Sequence, residues 1–511
     1  MFTMTLDYLR SWVGSTEESK VSLGYFAMTF LSIITLRTFL GFFSSPSNTA
    51  FIPGPYIHWY ISWIAIALII MLILRFFSQE SMGRIFRVAI CFFALILIVP
   101  LIDLVVSGGA GYYITYLSPA VHTDIWQRFF TFFGEPMTDL GFGPTPGQKV
   151  EILCAVLLGS YYVFIKRSNV LLSVLSGFCL YITIFAWMAL PFFLAWFLRF
   201  FDIAYRYSDS LFLGFYLIIL PIIGIVFAYL WQPRYVRAIM ADMRILRLAY
   251  YELIFMFGAA LAVHQGFGTF YPEMVFQLPI ILLSIAFAWL SALMQNNLAD
   301  RAIDRISNID RPLVRGTVPL PIYQRIAWVF FACALTYALL VSFTAFFVIF
   351  LFVGNYFIYS MPPLRLKRIL FLSKFLIAFN ILAVALLGFQ FFAKWEAHLP
   401  IMLYPVILIG GAFALNFIDI KDYAGDKVAG IHTLPVVMGL WPAKRLIGFF
   451  NFGAYLLAFL LVRDVYFLPV FAMLGALQFY FINKADYSDE AVMLVNNISI
   501  FLLISYFLYL T

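Results

Sequence analysis

Apolar residues dominate this chain in long blocks rather than in alternating or every-third-residue stripes, and polar residues gather in the short stretches between blocks. Blocks of about 20 apolar residues match the thickness of a bilayer core when coiled as α-helix. The first half predicts about six such helices, over 21–43, 56–77, 85–106, 150–165, 170–197 and 211–231. The second half predicts about nine, over 248–266, 275–299, 322–340, 345–359, 375–392, 401–417, 446–461, 466–482 and 492–510. The pattern therefore predicts an all-α polytopic membrane protein in two membrane domains, 1–231 and 248–511. They are joined at 232–247 (QPRYVRAIMADMRILR), a basic amphipathic stretch read as an interfacial helix whose arginines meet anionic headgroups.

Basic residues orient the spans. Arg75, Arg84 and Arg87, then Lys166 and Arg167, then Arg234, Arg237, Arg244 and Arg247 fall in alternate connections. Lys and Arg mark cytoplasmic loops, so the N-terminus is expected inside and the long loop 107–149 outside. That loop is rich in aromatics, Gly and Pro, and is expected to lie on the outer membrane surface or cap a cavity. No cleavage pattern of a secretory signal precedes the first span, which is expected to be retained.

Composition agrees: 64% hydrophobic, 11% charged, mean hydropathy +0.97. The net charge of +7 needs no nucleic-acid partner, since basic cytoplasmic loops account for it. The four cysteines lie in apolar runs and suggest neither disulfides nor zinc. In the first half Arg37 is the ionisable residue most plainly within a span; its place in the last third favours snorkelling to the outer interface. Asp103 and Glu151 are expected at interfaces, and His58 and His122 are isolated.

Chemistry concentrates in two polar stretches of the second half. In QNNLADRAIDRISNIDRPLVRGTVP, Asn296, Asp300 and Asp304 recur every four residues, which stacks them on one helical face. Two carboxylates and a carboxamide present only oxygen, the ligand set of a hard cation such as Mg²⁺. Arg311 and Arg315 follow, and arginine grips phosphate bidentately. In NFIDIKDYAGDKVAGIHTLPVVMG, Asp419, Asp422 and Asp426 align at steps of three and four, with Lys421 and Lys427 interleaved. Either cluster alone is equally a solvated helix end. Two matched clusters on the same membrane face point instead to a substrate with a diphosphate head and an apolar tail.

These stretches resemble the UbiA superfamily of intramembrane prenyltransferases. Asn296-x3-Asp300-x3-Asp304 with Asn308, Arg311-Pro312 and Gly316 is similar to its first aspartate-rich motif. Asp419-x2-Asp422-x3-Asp426 with Gly430 and Thr433-Leu434-Pro435 is similar to its second, and Tyr359-Ser360-Met361-Pro362-Pro363 through Lys367 to its Tyr-Ser-x-Pro-Pro segment. The resemblance covers about 234–511. It implies a helical bundle around a cavity open sideways to lipid and capped by cytosolic loops, with two Mg²⁺ ions held by Asn296, Asp300, Asp304, Asp419, Asp422 and Asp426. The expected catalytic residues are the five aspartates, with Tyr359 facing the allylic cation. Asn296, Arg311, Arg315, Lys367, Lys421 and Lys427 are expected at the diphosphate. The implied reaction moves a polyprenyl group from its diphosphate to an aromatic, lipid or sugar-phosphate acceptor. A terpene cyclase using the same ionising site and a prenyl-lipid transporter or flippase remain as alternatives. The family's usual Arg-Pro or Trp/Lys-Asn element is missing from the first helix of this half, which reads Tyr250-Tyr251-Glu252, so the acceptor stays open. The implied location is the cytoplasmic membrane of a prokaryote, with the site facing the cytoplasm. For the first half two roles stand: handling acceptor or product from the outer side, or docking a protein partner.

Overall fold

The computed structural model describes residues 2–45, 53–112, 115–117, 119, 124–134, 144–206, 208–268, 271–393 and 397–509; His122 lies outside them. Fifteen helices among these are long and apolar enough to cross a membrane. The protein is an integral, multi-pass membrane protein. It divides into two compact units, Met1–Pro233 and Arg234–Thr511.

The first unit contains six of the long helices: Leu23–Phe43, Tyr56–Ser78, Met82–Val106, Pro146–Arg167, Val170–Met188 and Asp209–Trp231. The expected span 170–197 is broken. Its helix ends at Met188 and a shorter one, Leu190–Arg199, begins with Pro191 in its first turn, where a proline's missing N–H costs nothing. Polar residues of this unit lie deeper than their positions along the spans suggest. Arg37 does not snorkel; it is 2% exposed, and its Nε and one terminal nitrogen have no hydrogen-bond partner. Asp103 is likewise buried. It accepts from the Thr145 hydroxyl and the Gly147 N–H, both at 2.7 Å, and so holds the first turn of Pro146–Arg167. Buried His58 is not isolated, since its Nδ1 lies 3.1 Å from the Asp209 carboxylate. Within the long loop, Ile125–Phe130 forms a short helix, and Phe129, Phe132 and Phe133 pack against Tyr181 and Phe185 of Val170–Met188.

The second unit contains nine: Ile245–His264, Met274–Ala299, Leu320–Val341, Phe343–Ser360, Leu372–Phe392, Leu403–Val428, Leu440–Val462, Val465–Asn483 and Asp489–Tyr509. Its buried centre is the crossing of Ile245–His264 with Leu372–Phe392, where two glycines let the backbones touch. A Cβ on Gly258 would come within 1.9 Å of the Ala385 carbonyl oxygen, and one on Gly388 within 1.8 Å of that of Phe255. Small residues serve helix contact in a bilayer because lipid supplies no hydrophobic drive between helices. The stretch 232–247 is not one interfacial helix. Pro233–Ala241 is helical, the chain turns through Arg244 at φ 50°, and a new helix starts at Ile245. That turn aims Arg244 and Arg247 at the interior of the unit.

Candidate active site

Both aspartate stretches open onto one partly open cavity in the second unit, about 1120 Å³ with its open mouth included. The first stretch is not a single helix. Met274–Ala299 ends at Asp300, whose φ and ψ of −99° and 8° leave the helical region, and Arg301–Ser307 continues beyond it. Hydrogen bonds nevertheless run from Asp300 N–H to the Asn296 carbonyl (2.9 Å), from Asp304 to Asp300 (2.9 Å) and from Asn308 to Asp304 (2.8 Å). The four-residue register therefore survives the break, and Asn296, Asp300 and Asp304 all line the cavity. Asp419, Asp422 and Asp426 line it from the helix Ile418–Val428.

Two contacts hold the stretches together. Asn308 Nδ2 donates to both Asp304 (3.1 Å) and Asp422 (3.0 Å), and Gly425 N–H donates to Ser307 Oγ at 2.9 Å. From the Tyr-Ser-x-Pro-Pro segment, Ser360 Oγ donates to Asn296 Oδ1 at 2.8 Å, while Arg365 and Lys367 both grip Asp300, Arg365 at 3.0 Å. Tyr359 lines the cavity beside Tyr356, their ring centroids 6.3 Å apart, and Tyr356 shares a hydroxyl hydrogen bond with Tyr251.

Of the six expected diphosphate contacts, Asn296, Arg311 and Lys367 line the cavity and three do not. Arg315, its side chain 60% exposed, pairs with Asp310; Lys421 reaches Asp489 at 3.3 Å; Lys427 rides over the Tyr423 ring. At about 100° per residue, the neighbours of an aspartate that faces the cavity turn away from it, which removes Lys421 and Lys427 together. Arg315→Ala and Lys421→Ala are accordingly expected to leave turnover within about twofold of wild type, whereas Lys367→Ala, which breaks a partly buried charge pair, is expected to lose well over tenfold. Steady-state rates of the purified variants check this.

Four cations escaped the sequence. Lys374, 2% exposed, pairs with Asp419; Arg365 pairs with Asp300; Arg244 and Arg247 line the cavity, with Arg247 3.0 Å from Asp489. Arg365 lies inside the Tyr359 through Lys367 segment and Arg244 and Arg247 in the basic linker, read there in other roles; Lys374 gave a signal of its own, a lone lysine at the entrance of an apolar run. Arg311 is held as well as holding: it donates to Asp304 and, at 2.8 Å, to Asn297, whose amide in turn donates to Asp242 at 2.7 Å. Burial raises Asp304 to about 6, Arg311 opposing and Asp300 adding to the rise. Burial, with Arg247 and Arg311 close by, lowers Arg244 to about 10, so it stays cationic at neutral pH.

The donor set fits a hard divalent cation: five carboxylates and an amide facing one space, and no sulfur or imidazole among them. Lysine and arginine now neutralise Asp300, Asp304 and Asp419, and among the described residues no three acidic, His or Cys side chains converge as a ready-made metal cage. Asp426 makes no ion pair among the described residues, and Asp422 accepts only from Asn308 there.

Comparison with known proteins follows the same half of the chain. Residues 253–502 match the UbiA prenyltransferase family. A digeranylgeranylglyceryl phosphate synthase of Thermococcus gammatolerans is 30% identical over 183 residues, covering 33% of this chain and 59% of the synthase; the chain thus spans less than two thirds of that relative's length. Among solved structures, a UbiA homolog from Archaeoglobus fulgidus bound to DMAPP and Mg²⁺ is 22% identical, over 53% of this chain and 98% of that one, with a TM-score of 0.41. One from Aeropyrum pernix K1, without ligand, is 17% identical over 52% and 98%, with a TM-score of 0.40.

Proposed function

We propose that the protein, whose residues 253–502 match the UbiA prenyltransferase family, transfers a polyprenyl group within the membrane from its diphosphate to an acceptor that also enters this cavity. The observation that carries the proposal is the joining of the two aspartate stretches across one cavity by Asn308, with Arg311 and Lys367 on the same wall. Asn296, Asp300 and Asp304 on one side and Asp419, Asp422 and Asp426 on the other would hold Mg²⁺. When bound, Mg²⁺ supplies the positive charge that the leaving diphosphate requires as its bond to the prenyl carbon breaks.

The chain's own groups do the rest. Lys367 and Arg311 exchange their carboxylate partners for phosphate oxygens, so that no charge is left unpaired in a partly buried site. Tyr359 and Tyr356 present aromatic faces to the cationic prenyl carbon, each worth about 0.5–2 kcal/mol. Apolar residues such as Ile377, Ile381 and Leu415 on the same wall take the chain, which gains about 0.8 kcal/mol for each CH₂ kept from water. Arg244 and Arg247 give the cavity a second basic patch, which suits an acceptor that carries an anionic group. The site is proposed to face the cytoplasm, as the basic connections direct, in the cytoplasmic membrane of a prokaryote.

The test is incubation of protein in lipid with labelled geranylgeranyl diphosphate and a membrane-lipid extract, with Mg²⁺ or with chelator. A labelled prenylated lipid formed only with Mg²⁺ is expected. A hydrocarbon formed from the diphosphate alone would make the protein a cyclase, and labelled diphosphate moved across the bilayer unchanged would make it a transporter. With the acceptor identified, Arg244→Ala is expected to raise its KM about tenfold or more and to leave the KM for the diphosphate nearly unchanged.

A further inference from the structure

The Met1–Pro233 unit has a partly open cavity of its own, about 1220 Å³ with its open mouth included, between the helices Tyr56–Ser78, Met82–Val106, Pro146–Arg167 and Val170–Met188. Its wall is almost wholly apolar, with Trp59, Trp63 and Trp187 prominent. Its polar groups are few. Ser62 Oγ already accepts from the Trp187 indole N–H at 2.8 Å, and Gln148 Oε1 accepts from Thr145 N–H at 2.9 Å in a helix cap. Glu151 is the exception: it lines the cavity and makes no hydrogen bond or ion pair among the described residues.

An ionisable side chain in an apolar membrane cavity is costly, and such groups mark binding sites by default. This one has company. Arg37, 2% exposed with two unpartnered nitrogens, is within electrostatic reach of both Glu151 and Asp103. Asp103 is satisfied by Thr145 and Gly147, so the partner still owed a contact is Glu151. One guanidinium against two carboxylates leaves no surplus positive charge, and phosphate, diphosphate or fatty-acid heads are therefore repelled. A hydroxyl is not: it donates to a carboxylate without adding charge. An apolar space of this size is unfavourable for water, whereas a hydrocarbon chain fills it at a gain for every CH₂.

We propose that this unit binds an uncharged lipid alcohol, its chain along the tryptophan-lined wall and its hydroxyl on Glu151. The site is separate from the aspartate cavity and does not depend on the activity proposed for it. Two lipid classes share the chemistry, isoprenoid alcohols and diacylglycerols, and the experiment separates them.

The experiment is native mass spectrometry of the full-length protein in detergent, offered geranylgeraniol, dioleoylglycerol or oleylamine, with unfolding curves for every variant. One equivalent of at least one of the two alcohols is expected to bind; the tighter of the two names the lipid class. Ala155→Phe, which fills the cavity, and Glu151→Leu are each expected to weaken that binding about tenfold or more, while Glu151→Gln, which keeps an acceptor oxygen, retains most of it. If Ala155→Phe does not unfold cooperatively, labelling of wild-type Glu151 by dicyclohexylcarbodiimide decides instead: protection by the bound alcohol is expected. Alcohol binding indifferent to Glu151→Leu, displacement of the alcohol by geranylgeranyl diphosphate, tighter binding of oleylamine, or unprotected labelling would each overturn the proposal.

Discussion

Asp300→Ala and Asp426→Ala are each expected to lower Mg²⁺-dependent release of diphosphate from geranylgeranyl diphosphate by about 10³-fold, the scale set by loss of one preorganised group that meets developing charge. The two residues come from the two different aspartate stretches that line the cavity, and their situations differ. Asp300 is gripped by Lys367 and Arg365, so its removal also leaves two cations in a confined site without their partner. Asp426 has no such partner among the described residues, and on the proposed reading its removal would subtract only a donor for Mg²⁺. The pair therefore separates two effects. Raising Mg²⁺ is expected to recover part of the Asp426→Ala loss but little of the Asp300→Ala loss, and a titration of rate against Mg²⁺ for both variants checks it. If both variants released diphosphate at the wild-type rate, the two stretches would have no part in ionising a prenyl diphosphate.

Gly425→Leu is expected to be nearly as damaging, by geometry alone. Gly425 stands between Asp422 and Asp426 on the helix Ile418–Val428, packed against Arg301–Ser307. A Cβ at this position would come within 2.4 Å of Ser307 Oγ, 2.7 Å of Ile303 Cγ2 and 3.2 Å of the Ile303 carbonyl oxygen. Rotation of Ser307 relieves the first contact, but the others require the two helices to part, which costs about 1–3 kcal/mol in a packed region. Separation of the helices also stretches the Asn308 bridge from Asp304 to Asp422, and a misplacement of about 1 Å at a reacting site commonly costs on the order of 10²-fold in rate. Gly425→Ala is expected to show a smaller loss of the same kind. Gly453→Ala, in the helix Leu440–Val462 with nothing within 4 Å of its added Cβ, is the control and is expected to leave the rate unchanged and not to lower the thermal midpoint. Equal behaviour of Gly425→Leu and that control would mean that the spacing of the two aspartate helices does not set the rate.

What the sequence by itself determined was whatever repeats at short range. Runs of about 20 apolar residues can cross a bilayer only as helices, so the fifteen long helices were legible from block length alone. The aspartates at steps of three and four were legible because a helix stacks those positions, and the register held even where Asp300 breaks the first helix, since the hydrogen bonds on either side of the break span four residues. The tertiary structure decided which charge meets which. Lys367 finds Asp300 across 67 residues, Lys374 finds Asp419 across 45, and Asn308 finds Asp422 across 114; no local period encodes such pairings. For the same reason Arg315, Lys421 and Lys427 looked like diphosphate contacts although they face away, while Arg244 and Arg247, which looked like headgroup contacts, line the cavity. Arg37 shows the limit most plainly. Its place near the end of a span permits snorkelling, and only the packing of neighbouring helices over it, with Asp103 and Glu151 in electrostatic reach, keeps it from water.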